Sequence, residues 1–308
     1  MASKLRFDVD EAETEEDFAK LLQLCIENNT FPSLFKLLVS AMDDNALSRG
    51  SEIVAGVLVC FTRTAAGCAA LLDSGLVETV CELLASPHQE SAKALLLGSL
   101  AKITRTNAAT GARLATPATL AKLTARLRRN IDESARIEES RAITDVLSAL
   151  VLSPDAPALS DDARDDIVAA LRAALAAAVP SANLAHEAFK LSQTALRVLS
   201  QILRKNQARY AADIEAVALS PALEFALGLC TSVDAARADM LHLLAAAAAL
   251  PAADTVERVF TAERLTQLRK LKELGALADP EHDQLYAALV ERLASVSPTL
   301  ADGVSGRR

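Results

Sequence analysis

Four histidines, five cysteines and one run of aspartates are the residues of this 308-residue chain whose types suit metal or covalent chemistry. Their spacing does not suit it. His88, His186, His242 and His282 lie far apart, with no HExxH pair and no Cys-His metal spacing among them. Each is expected at a surface or a helix end. Cys25, Cys60, Cys68, Cys81 and Cys230 are odd in number, form no CxxC and sit among apolar neighbours, so they read as small buried hydrophobes with free thiols in a reducing compartment. Asp161, Asp162, Asp165 and Asp166 offer the oxygens a hard cation wants, but acids in the first turn of a helix also stabilise it through its dipole. The run opens an apolar segment at Ile167, and the dipole role is the expectation. No Gly-rich phosphate loop and no nucleophile elbow occurs. The chain is expected to be no enzyme and to hold no metal or cofactor.

Three basic clusters remain. Arg126, Arg128 and Arg129 close one helical segment and Arg204, Lys205 and Arg209 another, where cations complement the C-terminal dipole. Arg264, Arg269, Lys270 and Lys272 run along a helix, and Arg269 with Lys272 suits an acidic protein tail. Nucleic acid is not expected as a partner: the net charge is -8 and aromatics are 3%, so both phosphate neutralisation and base stacking lack their residues. No uncharged apolar run reaches the roughly 18 residues needed to cross a bilayer. The N-terminus MASKLRFDVDEAETEEDF has no apolar core of a signal peptide and is acidic, so a cytoplasmic location is expected.

The elements that carry these residues are helices. Gly and Pro number 10 each, Trp is absent and Ala and Leu dominate, which favours helix over a sheet rich in β-branched and aromatic residues. Self-similarity then sets the layout. Leu34, Val77 and Leu120 are spaced by 43 residues, as are Leu37, Val80 and Leu123, and Ala41, Leu84 and Leu127. Each trio is one position of an i, i+3, i+7 stripe, the buried face of a helix. Gly56 and Gly98, Leu58 and Leu100, Thr62 and Thr104, and Arg63 and Arg105 repeat at 42. Such a step marks a helical solenoid whose units bury their apolar faces only by stacking.

Punctuation keeps the same phase. Pro32, Ser74-Gly75, Thr116-Pro117 and Ser220-Pro221 precede the medium helices, where Ser or Thr accepts orphan amide bonds and Pro suits the first turn. Six units follow, with medium helices near 32–42, 75–85, 117–129, 161–179, 220–230 and 261–275. Long helices are expected near 45–63, 88–105, 132–152, 183–205, 233–250 and 280–296. Ser153 to Asp162, SPDAPALSDD, replaces one short helix with an exposed, acidic loop. The expected organisation is a disordered acidic N-terminus over 1–14, a single solenoid domain over 15–297 and a disordered tail over 298–308.

The short, medium, long order of Thr62 to Arg105 resembles the armadillo repeat. GLVETVCELLAS is similar to that family's second helix and SAKALLLGSLAKI to its third, with the resemblance running from Thr30 to Val296 and closest in the first three units. It implies an all-α, right-handed superhelix of about six repeats, with HEAT repeats sharing the period. It also implies a non-enzymatic scaffold or adaptor subunit that binds a partner protein along successive third helices. The alternative it suggests is a chaperone cofactor, such as an Hsp70 nucleotide-exchange factor.

Importin-like and catenin-like members grip an extended peptide with Trp and Asn four residues apart on their third helices. The matching positions here are Gly98 and Lys102, Gly56 and Cys60, and Arg197 and Gln201, so the peptide ladder of those members is not expected. Gly56, Gly98, Lys102, Arg197 and Gln201 instead suggest a shallow, mildly basic track for an amphipathic or acidic helix of a partner protein.

Overall fold

The computed structural model describes residues 15–41, 48–86, 88–132, 136–177, 185–221, 223, 224, 227 and 237–305. The described residues form 17 α-helices and one 3-10 turn, with no strand. None of these helices is long and apolar enough to cross a membrane. Two compact units emerge, Met1–Ile167 and Val168–Arg308, where the sequence leads one to expect a single solenoid over 15–297. The boundary falls in α10 (Asp161–Ala177), directly after the segment without a short helix. The expected disordered stretch 1–14 lies outside the described residues.

The first unit holds α1 (Glu15–Glu27), α2 (Thr30–Ser40), α3 (Ser48–Phe61), α4 (Ala65–Asp73), α5 (Leu76–Leu83), α6 (Glu90–Thr106), α7 (Ala108–Leu114), α8 (Pro117–Asp132) and α9 (Ile137–Leu152). Local chemistry sets the breaks. Thr64 Oγ1 accepts the amide of Gly67 at 3.1 Å to start α4, and Asn107 Oδ1 accepts two amides to start α7. Gly75 begins α5 at φ 100°, a left-handed conformation that glycine adopts without steric cost. The medium helices α2, α5 and α8 stack in order, and so do the long helices α3, α6 and α9.

The second unit holds the rest of α10, then α11 (Ala185–Leu203), α12 (Ala211–Ala218), α13 (Arg237–Ala248), α14 (Ala253–Val259), α15 (Ala262–Glu273), α16 (Pro280–Val296) and α17 (Pro298–Ser305). Its long helices α11, α13 and α16 stack in chain order. Thr261 caps α15 by accepting from the amide of Arg264 at 3.3 Å. The tail expected to be disordered is α17 over 298–305, because Leu300 and Val304 find apolar cover against α15 and α16. A tail this polar at DGVSG conceals that two-residue anchor.

The repeated stripe is buried at eight of its nine positions, with Leu37 the exception at 50% exposed. Val80 and Leu123 sit on helices with a medium helix stacked before them, whereas α2 begins that stack. Phe31, Leu34, Phe35 and Leu38 carry the core contacts of α2 instead. The segment Ser153 to Ser160 is free of regular helix, but only part of it faces solvent. Pro157 lies 3.4 Å from where a side chain on Gly111 of α7 would begin, so the loop packs onto its own unit rather than standing clear of it.

Neighbouring repeats are tied by arginines acting at the repeat distance. Arg113 donates to the Leu72 carbonyl at 3.1 Å, Arg237 to Ala276 at 2.5 Å, Arg264 to Ala218 at 2.8 Å and Arg292 to Ala248 at 3.3 Å. The accepting carbonyls belong to helix ends or lie just past them, where the last four have no intrahelical partner. Each guanidinium therefore caps a helix one repeat away. Arg128 with Asp166, Arg258 with Glu215 and Arg172 with Asp213 add ion pairs over a similar separation.

Candidate protein-binding face

The solvent-facing side of the stacked long helices is built from the positions that their core stripes leave over. In the first unit, Arg49, Glu52, Ile53, Gly56, Val59 and Cys60 on α3 and Leu95 on α6 line an open groove of about 520 Å³. Leu95 is an exposed large hydrophobe, and one turn on, Gly98 would have open space around any added Cβ. Lys102 follows on the same exposed stripe. Gly56, Gly98 and Lys102 thus share one face of two adjacent helices. Ile53, Val59 and Leu95 were not legible as lining residues, because Leu95 stands in the unbroken run Ala94 to Leu97 and periodicity cannot say which member faces out.

Arg197 and Gln201 belong to the second unit, on α11, and are already engaged there. Arg197 lies 3.7 Å from Asp239 on α13, and Gln201 Oε1 accepts from Arg204 at 2.7 Å. Arg204 also meets His242 Nε2 at 3.1 Å. Burial pushes the His242 pKa down and the neighbouring Arg204 charge pushes it further, against the opposing pull of Glu281. Burial raises the Asp239 carboxyl, while Arg197 and Arg204 oppose that shift. Of the five candidate residues, Gly56, Gly98 and Lys102 therefore belong to the first unit and Arg197 and Gln201 to the second.

Two basic clusters change their meaning. Arg126 is no solvated helix-end cation: it is 3% exposed and grips Glu139 through Nε to Oε1 at 2.7 Å and Nη2 to Oε2 at 3.0 Å. Lys93 Nζ lies 3.3 Å from the same carboxylate and donates to the Ser86 carbonyl at 2.9 Å. Burial pulls the Lys93 pKa down to about 8 despite the attraction of Glu139. Arg264, likewise, is 3% exposed and bonds Glu224 and two carbonyls. Arg269 pairs with Glu273 in its own helix, and Lys272 lies 6.0 Å from the Tyr286 ring, so this helix spends most of its cations internally. Asp161 and Asp166 pair with Arg164 and Arg128, and among the described residues no three His, Cys, Asp or Glu side chains could hold a metal ion.

His242 sits within α13 rather than at a helix end or free surface, and His282 is buried in the first turn of α16. His186 and Cys230 lie outside the described side chains. Cys25, Cys60 and Cys81 are buried thiols not joined in disulfides. Cys68 is half-buried, and desolvation raises its thiol pKa against the pull of Lys102, which is the wrong direction for a nucleophile.

No protein-family model matches the sequence, and no curated protein is detectably similar to it. The fold has a solved counterpart. A crystal structure of an engineered protein from the Northeast Structural Genomics Consortium matches with a TM-score of 0.54 over 87% of this chain and 97% of that one, at 18% identity. Likeness at that identity speaks for the all-helical fold alone.

Proposed function

We propose that this protein is a non-enzymatic interaction scaffold or adaptor, an armadillo-like right-handed solenoid of about six repeats that binds a partner protein on the exposed face of its long helices. The groove between α3 and α6 carries the reading. It is open, apolar along Ile53, Val59 and Leu95, and lined by Gly56, and one turn beyond Leu95 the space over Gly98 is open as well. Concave, mostly apolar surface with a few charges at its margin is what a partner segment needs. Missing Trp and Asn disfavour the gripping of an extended backbone, and a helix that brings its own satisfied backbone fits such a groove better. Affinity capture from a native lysate with the wild type and with Gly98→Leu tests it. Loss of a stoichiometric partner on filling the groove supports the scaffold reading, and full retention of every partner removes it.

A further inference from the structure

The α3–α6 groove has a direction, and the direction selects its occupant. Both helices run the same way: Cys68 Sγ reaches the Thr62 carbonyl at 3.6 Å just past the end of α3, and Lys102 near the end of α6 acts on that same thiol. At the other end, Gln89, which precedes α6, donates to the Ala41 carbonyl ahead of α3. The groove's two ends differ in charge. Arg49 and Glu52 offset one another at the N-terminal end. At the C-terminal end Arg63, Lys102 and Arg105 are all exposed, and none makes an ion pair with a described residue. In a chain of net charge -8, three unopposed cations at one rim are a local exception. Two of them, Arg63 and Arg105, repeat at the 42-residue step and so mark the same corner of adjacent units.

Resting on the groove reading above, we propose that this groove takes an amphipathic α-helix of a partner protein, antiparallel to α3 and α6, with acidic residues in its first turn seated on Arg63, Lys102 and Arg105. Arg49 to Cys60 spans roughly 17 Å at 1.5 Å per residue, about three turns of an occupant. A helix favours Asp and Glu in its own first turn, and its electropositive N-terminus is attracted to the electronegative C-termini of α3 and α6. The antiparallel pose satisfies both terms at once. A parallel helix would carry acids at its C-terminus, where its own dipole disfavours them. The apolar stripe at i, i+3, i+4 and i+7 then lies over Ile53, Val59 and Leu95.

Selection from a displayed library of about 16-residue helical peptides against the full chain tests this directly. Enriched peptides are re-measured by fluorescence anisotropy against wild type, Gly98→Leu, and the triple variant Arg63→Glu, Lys102→Glu, Arg105→Glu, each checked for native circular dichroism. The expected result is peptides with acids clustered in the first turn that lose about tenfold or more in affinity on the triple variant and on Gly98→Leu. Their wild-type binding weakens from about 50 to 500 mM salt as the Debye length shrinks. Peptides sensitive to Gly98→Leu but carrying their acids at the C-terminal end, or indifferent to the triple variant, overturn the orientation and leave the groove reading standing. Enrichment of nothing, or of peptides indifferent to Gly98→Leu, overturns the groove reading itself.

Discussion

Arg126 and Glu139 meet in a two-point ion pair, 2.7 and 3.0 Å, on side chains that water does not reach. They join α8 to α9, and Lys93 adds α6 to the same carboxylate. Three helices of two successive repeats are thereby held by one buried anion between two cations. In such a group desolvation offsets much of the Coulomb gain.

Removing the anion should be costly and removing the extra cation cheap. Glu139→Gln leaves Lys93 and Arg126 facing each other without compensation and is expected to cost about 3–5 kcal/mol. Lys93→Met keeps the two-point pair and similar volume while removing a desolvated charge, and is expected to be neutral or stabilising near pH 7. Urea unfolding followed by circular dichroism checks both. Equal losses for the two variants would show that the carboxylate is not the hub.

The pH dependence of Lys93 has a defined sign. Its pKa falls from the ordinary 10.5 to about 8 on folding, so between those values the unfolded chain binds more protons than the folded one. Stability from this group therefore rises with pH across that window, by at most about 1.4 kcal/mol per pH unit, and its cost is fully present below pH 8. The wild type should gain on Lys93→Met between pH 8 and 10. A flat difference would mean that the ammonium is better solvated than its burial implies.

Sequence periodicity made the stacked helices readable and left their ionic joints hidden. Long helix α16 was expected at 280–296 and lies at Pro280–Val296, because its Asp279 cap, its Pro and its apolar stripe all speak locally. Arg126 was invisible for the opposite reason. Thr119, Leu123, Arg126 and Asn130 form a second buried stripe on α8, but three of the four are polar, so the pattern reads as solvated surface. Their partners lie on other helices, which local pattern cannot address. Of the candidate face, the repeated Gly56 and Gly98 were legible, whereas the engagement of Arg197 by Asp239 was not.

Leu100 and Leu37 separate core register from stack edge. Leu100 is 1% exposed and Leu37 50%. Leu100→Ala is expected to cost about 2–5 kcal/mol and Leu37→Ala less than about 1 kcal/mol, near the range of surface changes. Chemical denaturation measures both, and a larger loss at Leu37 would place a neighbour over α2.

Two glycines in helices should respond in opposite directions to alanine. A Cβ on Gly67 would stand 2.0 Å from the Phe61 carbonyl oxygen, which is backbone and cannot swing away, whereas one on Gly98 meets nothing within 4 Å. Gly67→Ala is expected to destabilise by about 1–3 kcal/mol despite alanine's helix propensity, and Gly98→Ala to stabilise by about 0.5–1 kcal/mol. Thermal unfolding distinguishes them, and a gain at both sites would contradict the tight α3–α4 corner.

Amide hydrogen exchange of the full chain, free and saturated with a selected helical peptide, tests the proposed binding face most directly. Protection is predicted along α3 and α6, including the stretches around Gly56 and Gly98, with the medium helices α5 and α8 unchanged. Protection confined to the medium helices, or to the basic helix α15, would contradict the account.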